Sequence, residues 1–185
     1  MNAPVYHFTD TARLPHILFS GELRAGRNQI GGFPDPDFLW ATTSATGDRT
    51  ASASMPALRE GRVRLVRFTL AAQDFEPWDT IVSRVPAWTP NHVERLERAA
   101  IGKSRPQDWR CRLAPLPADQ WVGIETRSYT DKVWRPLPTP WSVIPLDAQS
   151  YAVQIGAKVY ASTAVPGPHG MAAYVPTVLN AEDAA

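Results

Sequence analysis

The chain of 185 residues holds one cysteine, three lysines and almost no net charge. A lone cysteine excludes an intrachain disulfide and a thiolate metal cluster, and no metal site is expected. Cys111 stands between Arg110 and Arg112 in a strand-like stretch. There it reads as a small buried side chain rather than a nucleophile. A net charge of +1 excludes, at the level of the whole chain, a strongly basic nucleic-acid binder or an acidic solvating tail. No apolar run approaches the ~18 residues needed to span a bilayer. The first residues do not join a basic stretch to an apolar one, as a signal peptide would. A soluble, cytoplasmic protein is the expectation.

Proline and tryptophan are abundant instead, with 18 and 7 copies. Each proline removes an amide donor, so long helices and central strands have little room. Short elements joined by proline-stiffened loops should result. Hydrophobic residues make up 44% and charged residues 20%, ordinary values for a folded domain. Sixteen of the 19 basic residues are arginine, whose planar fork suits phosphate. Residues 1–136 carry 18 of the basic and 15 of the 18 acidic residues. The remainder, 137–185, is rich in Ala, Val and Pro. The shift at Pro136-Leu137-Pro138-Thr139-Pro140 predicts a main domain over 1–136. It is followed by a Pro/Ala-rich extension over 137–185, packed on that domain and frayed at its end.

Val5-Tyr6-His7-Phe8-Thr9 alternates and predicts a strand. Asp10 or Thr11 can cap a short helix carrying Leu14, Ile17 and Leu18, with Gly21 ending it. Residues 24–37 read as a long ordered loop. Strands are predicted over 38–43, 62–70, 109–113 and 121–127, and a strand or hairpin over 151–160. A helix should open at Thr89-Pro90, run through Val93, Leu96 and Ala100, and stop at Gly102. The class is α+β.

Four constellations can carry chemistry. His7 points away from Tyr6 and Phe8, as a satisfied core residue or as a hydrogen-bonding group at the floor of a cleft. Trp40-Ala41-Thr42-Thr43-Ser44 ends a strand in three hydroxyls, which can brace a ligand or simply form a Ser/Thr turn. Glu125 follows an apolar strand and shares a face with Gly123 and Trp121. It either pairs with Arg127, two residues on, or stabilises positive charge at an anomeric carbon. Gly123 would let a ligand approach the backbone. The loop from Arg24 to Gly32 interleaves Arg24 and Arg27 with glycines, a composition that can wrap a pyrophosphate or form a solvated surface. It lacks the glycine spacing of a Walker or Rossmann loop.

Taken in order, these features resemble the ADP-ribosyltransferase superfamily, and within it the DarT-type toxins that modify DNA. Val5-Tyr6-His7-Phe8-Thr9-Asp10, then Leu14-Pro15-His16-Ile17-Leu18, then Ser20-Gly21-Glu22-Leu23 are similar to that group's first strand, helix and glycine-leucine exit. The resemblance covers residues 4–136 at most. It implies a split, strongly bent β-sheet with NAD in its cleft. His7 and Thr9 would contact NAD, one of Arg24, Arg27 and Arg49 its phosphates, and Trp40, Thr42, Thr43 and Ser44 would form the second NAD-lining strand. Glu125 would be the catalytic glutamate, with Glu76 and Glu60 as alternatives for that role. Gly123 replaces the second acid or amide of arginine-modifying members, which disfavours arginine as acceptor. The resemblance further implies a DNA base or protein as acceptor, a toxin or defence role and an antitoxin partner. Trp78, Trp88, Trp109 and the stretch Arg105 to Arg112 would serve a single-stranded acceptor. A tRNA 2′-phosphotransferase-like enzyme and a non-catalytic binding module with the same fold are the competing expectations.

Overall fold

The computed structural model describes residues 3–26, 31–47, 54–131, 133–167 and 171–180. The chain opens with β1 (Val5–Asp10), α1 (Leu14–Ser20), β2 (Glu22–Leu23), β3 (Leu39–Thr42), α2 (Met55–Arg59) and β4 (Leu65–Leu70). Next come β5 (Glu76–Pro77), α3 (Trp78–Val82), α4 (Pro90–Ala100), β6 (Trp109–Arg112), β7 (Leu116–Pro117) and β8 (Trp121–Arg127). β9 (Arg135–Pro136), β10 (Ile144–Pro145), β11 (Ser150–Ile155), β12 (Lys158–Pro166) and β13 (Ala172–Asn180) complete it. This is an α+β chain of mostly antiparallel strands with few, short helices. Two units interleave along it. The first gathers residues 1–8, 23–52 and 69–122; the second gathers 9–22, 53–68 and 123–185. Residues 137–185 therefore share a unit with 123–136 and with two earlier segments.

In the first unit, β5, β6, β3 and β1 are successive antiparallel neighbours. The register sets Trp40 opposite Cys111 and Thr42 opposite Trp109. The core is aromatic: Phe38, Trp78, Trp88 and Trp109 are buried with Ile81, Val82, Val85 and Cys111, and Trp40 packs against them. Phe38 and Trp78 meet edge to face at 5.6 Å and 88°, the geometry that ring quadrupoles favour. A buried indole also needs an acceptor for its N–H. Trp78 donates to Glu97 Oε1 at 3.0 Å, Trp88 to the Pro36 carbonyl at 3.0 Å and Trp109 to Ser104 Oγ at 2.6 Å. A carboxylate on α4, one proline carbonyl and one serine hydroxyl supply those acceptors.

α4 starts and stops where the sequence predicts. The Thr89 N–H donates to His92 Nδ1 at 3.2 Å, which closes the first turn. Gly102 takes a left-handed φ of 73° just past the end, and Ser104 N–H reaches back to the Ala100 carbonyl at 3.0 Å. The long loop before β3 is tied to this helix. Arg95 Nη2 donates to the Gly32 carbonyl at 2.5 Å, and its guanidinium lies over the Phe33 ring at 4.2 Å.

In the second unit, β4, β8 and β9 are neighbours, and β10 to β13 form a separate antiparallel four-stranded sheet. The hairpin predicted within 151–160 is β11–β12, closed by Gly156 at φ 63°. α1 ends at Gly21 as expected, with φ 69° and its N–H on the Ile17 carbonyl. Its start departs from expectation. Asp10 Oδ1 accepts from the N–H groups of Ala12 and Arg13, so it holds the turn before the helix rather than capping it. Thr11 exchanges backbone and side-chain hydrogen bonds with Arg64. Burial pushes the Asp10 carboxyl up, and the Arg13 guanidinium at 2.9 Å together with the two amides works against that rise.

Candidate functional site

Alternation along β4 buries Val66, Phe68 and Leu70, which turns Arg67 to the opposite face of the sheet. β8 is the neighbour of β4, and there Trp121, Ile124 and Thr126 are buried while Glu125 and Arg127 are half-buried. Arg67 and Glu125 meet across the two strands. Nε of Arg67 donates to Glu125 Oε2 at 2.9 Å, and Nη2 donates to the same oxygen at 2.6 Å. Both side chains are largely shielded, at 12% and 24% exposure. Oε1 of Glu125 has no hydrogen-bond partner among the described residues.

Trp134 covers this pair. Its ring lies 4.6 Å from the Arg67 guanidinium carbon and 4.8 Å from that of Arg127, distances at which a cation is attracted to the ring face. Nε of Arg127 is buried without a hydrogen-bond partner. Beside Glu125 on the same strand, a Cβ added at Gly123 would meet nothing within 4 Å. The result is a carboxylate with one oxygen fixed by a guanidinium and the other oxygen unused. It lies next to open space over a glycine.

The partner of Glu125 corrects one reading of the sequence, which offered Arg127. Residues two apart on one strand stand about two rises of ~3.3 Å apart, whereas cross-strand neighbours approach to ~5 Å between Cβ atoms. The cross-strand arginine wins on distance. Sequence reasoning passed over both Arg67 and Trp134. The alternation of β4 does mark Arg67 as facing away from the core, but nothing in the sequence pairs it with a residue 58 positions on.

The other expected site residues divide between the units. His7, Arg24, Trp40, Thr42, Thr43 and Ser44 belong to the first; Thr9 and Glu125 belong to the second. His7 and Trp40 are brought together: Nδ1 of His7 lies 2.7 Å from the Trp40 carbonyl. That oxygen can only accept, so Nδ1 carries the proton. Thr42 is buried, and its hydroxyl oxygen accepts the Ser44 N–H at 3.1 Å. Thr43 Oγ1 donates to Asp108 Oδ1 at 3.3 Å, and Ser44 Oγ donates to the Gly47 carbonyl at 3.1 Å. Ser44 thus closes a local turn on Thr42 and Gly47, while Thr43 reaches across to Asp108. Thr9 is buried and Arg24 is exposed. Arg27 and Arg49 lie outside the described residues.

Of the alternative glutamates, Glu60 pairs with Arg62 at 2.6 Å on the surface, and Glu76 pairs with Arg84. Glu76 and Arg84 also line an open surface cavity of about 620 Å³ in the first unit, with Asp74, Arg112 and Gln120. It contains neither Glu125 nor any of the residues expected to hold NAD. Trp78, Trp88 and Trp109 are core, so they are not available to stack on bases. Arg105, Arg110 and Arg112 are engaged locally, with Asp108, with the Gln107 and Trp109 carbonyls, and with the Ala114 carbonyl. Cys111 is buried, and burial, with a smaller effect from Asp37, pushes its thiol well above the usual range. It does not act as a nucleophile in this state.

No family model matches this chain, and neither does any curated protein or solved structure. Among the described residues, no helix is long and apolar enough to cross a membrane.

Proposed function

We propose that the chain is an NAD-dependent mono-ADP-ribosyltransferase with a split, bent sheet of the ADP-ribosyltransferase kind, and that Glu125 is its catalytic residue. The observation that carries this reading is the half-used carboxylate of Glu125, held by Arg67 through Oε2 alone. Transfer of ADP-ribose needs such a group. It must accept a hydrogen bond from the 2′-hydroxyl of the nicotinamide ribose and stabilise the positive charge that develops at the anomeric carbon. The open space over Gly123 supports it, because a ligand can approach the strand there. The order of the strand carrying His7, the short helix and the Gly21-Glu22-Leu23 exit supports it independently.

In this reading the bond between the anomeric carbon and the nicotinamide nitrogen breaks, and its electron pair leaves with nicotinamide. A nucleophile of the acceptor then gives its lone pair to the anomeric carbon and releases its proton. Glu125 acts as an electrostatic stabiliser. His7 and Thr9 would hold NAD, with Arg24 or Arg27 at its phosphates. The acceptor is a DNA base or a protein, and an antitoxin partner and cytoplasmic location accompany the toxin reading. The buried tryptophans remove one route to base stacking.

Two measurements test this. Glu125→Gln should lower nicotinamide release from NAD by about 10²–10³-fold while far-UV circular dichroism stays unchanged. Full turnover by that variant overturns the assignment. Saturating NAD should also raise the melting temperature, since a ligand at 100 times its Kd stabilises by about 2.7 kcal/mol. No shift at millimolar NAD favours a non-catalytic module.

A further inference from the structure

Transition-state stabilisation by a carboxylate requires that its oxygen already stand where charge will develop, because reorientation during the reaction costs rate. A glutamate has three side-chain torsions and does not hold such a position unaided. Here two donors of one guanidinium converge on Glu125 Oε2, at 2.9 and 2.6 Å, and fix the carboxylate plane from one side. Trp134 lies over the same guanidinium at 4.6 Å and restrains it in turn. The shielding of the pair, with Arg67 at 12% exposure, keeps the interaction from being screened by water. Oε1 is left as the carboxylate's only unengaged oxygen.

We infer that Arg67 is a positioning residue. Backed by Trp134, it locks Glu125 so that Oε1 alone is presented to the ribose hydroxyl. This rests on the transferase reading above and adds to it a residue that acts through Glu125 rather than on the substrate. It also distinguishes two roles for arginine in this protein. Arg24 and Arg27 are expected at NAD phosphates and would affect its binding, whereas Arg67 directs Nε and Nη2 to the carboxylate and would affect turnover.

The test is steady-state NAD hydrolysis by wild type, Arg67→Gln, Arg67→Lys and Trp134→Phe. Misplacement of a catalytic group by ~1 Å costs on the order of 10²-fold. Arg67→Gln should therefore lower kcat by about 100-fold while KM for NAD changes by less than about threefold. Arg67→Lys, which keeps the charge and loses the fork, should recover part of that loss. In the Glu125→Gln background, Arg67→Gln should cost less than about threefold further, as residues acting through one another are non-additive. If Arg67→Gln does not fold, Arg67→Lys carries the test alone, with lowered kcat at constant KM expected. A wild type that turns over NAD beside Arg67 variants of unchanged kcat, or of raised KM only, overturns the positioning role and leaves the transferase reading standing. A wild type that neither binds nor cleaves NAD overturns both.

Discussion

His16 shows how a residue within the resemblance motif is occupied structurally. Its Nε2 lies 2.9 Å from Ser162 Oγ, and its ring packs at 5.1 Å against Tyr151 and at 4.7 Å against Tyr174. Burial holds its imidazole below the usual histidine range, opposed by a hydrogen bond with the Ser162 backbone. A depressed pKa in the folded state means that the unfolded chain takes up the proton first as pH falls. The contribution of His16 to stability is thus complete above the unfolded value of about 6.5, and it is lost as pH falls through that value towards the lower folded one. Melting temperature should fall between pH 7.5 and 5.5, and His16→Gln, which keeps a donor towards Ser162, should reduce that slope. An unchanged slope in the variant would mean that other groups carry it. Glu125 contrasts with His16: its partner Arg67 takes one oxygen and leaves the other without a hydrogen-bond partner among the described residues.

At the scale of elements, α4 carries its stop and start signals in its own residues. Thr89→Ala removes the hydroxyl that lies 3.1 Å from His92 Nδ1 and should destabilise by about 1 kcal/mol in urea unfolding. A loss below a few tenths would show that Pro90 and the packing of Val93 and Leu96 set the start instead. Such local signals explain what was legible. β1 followed from alternation, α4 from Thr-Pro and Gly, and the β11–β12 hairpin from its Val-, Ile- and Tyr-rich run, while β3, β6 and β8 were legible as short strand-forming stretches. The cap of α1 was not legible, because Asp10 has amides of Ala12 and Arg13 closer to hand than those of the helix. The site was half legible. Strand position singled out Glu125, but its arginine depends on which strands become neighbours, and local pattern carries no such information. The hydroxyl run after Trp40 read as ligand brace or as turn; Ser44 bonds locally to Thr42 and Gly47, whereas Thr43 reaches Asp108, 65 positions on, which no local pattern reports.

For the whole molecule, the partition of the chain into two interleaved units places five of the seven tryptophans in the first: Trp40, Trp78, Trp88, Trp109 and Trp121. Trp134 and Trp141 belong to the second. The long strands β11, β12 and β13 all belong to the second unit as well. Intrinsic fluorescence and far-UV dichroism therefore sample different parts of this protein. In a urea titration, coincident transitions would show that the two units unfold as one cooperative block; a fluorescence midpoint displaced from the dichroic one would show that they melt separately. The same asymmetry gives a local reporter. Trp134 rests on Arg67 beside Glu125, so in a chain whose first-unit indoles and Trp141 are replaced by phenylalanine, or in a fluorotryptophan NMR spectrum where each indole gives its own line, Trp134 would register occupancy of the carboxylate site directly. The ring that steadies an arginine is also a spectroscopic probe built into the place where the chemistry is proposed.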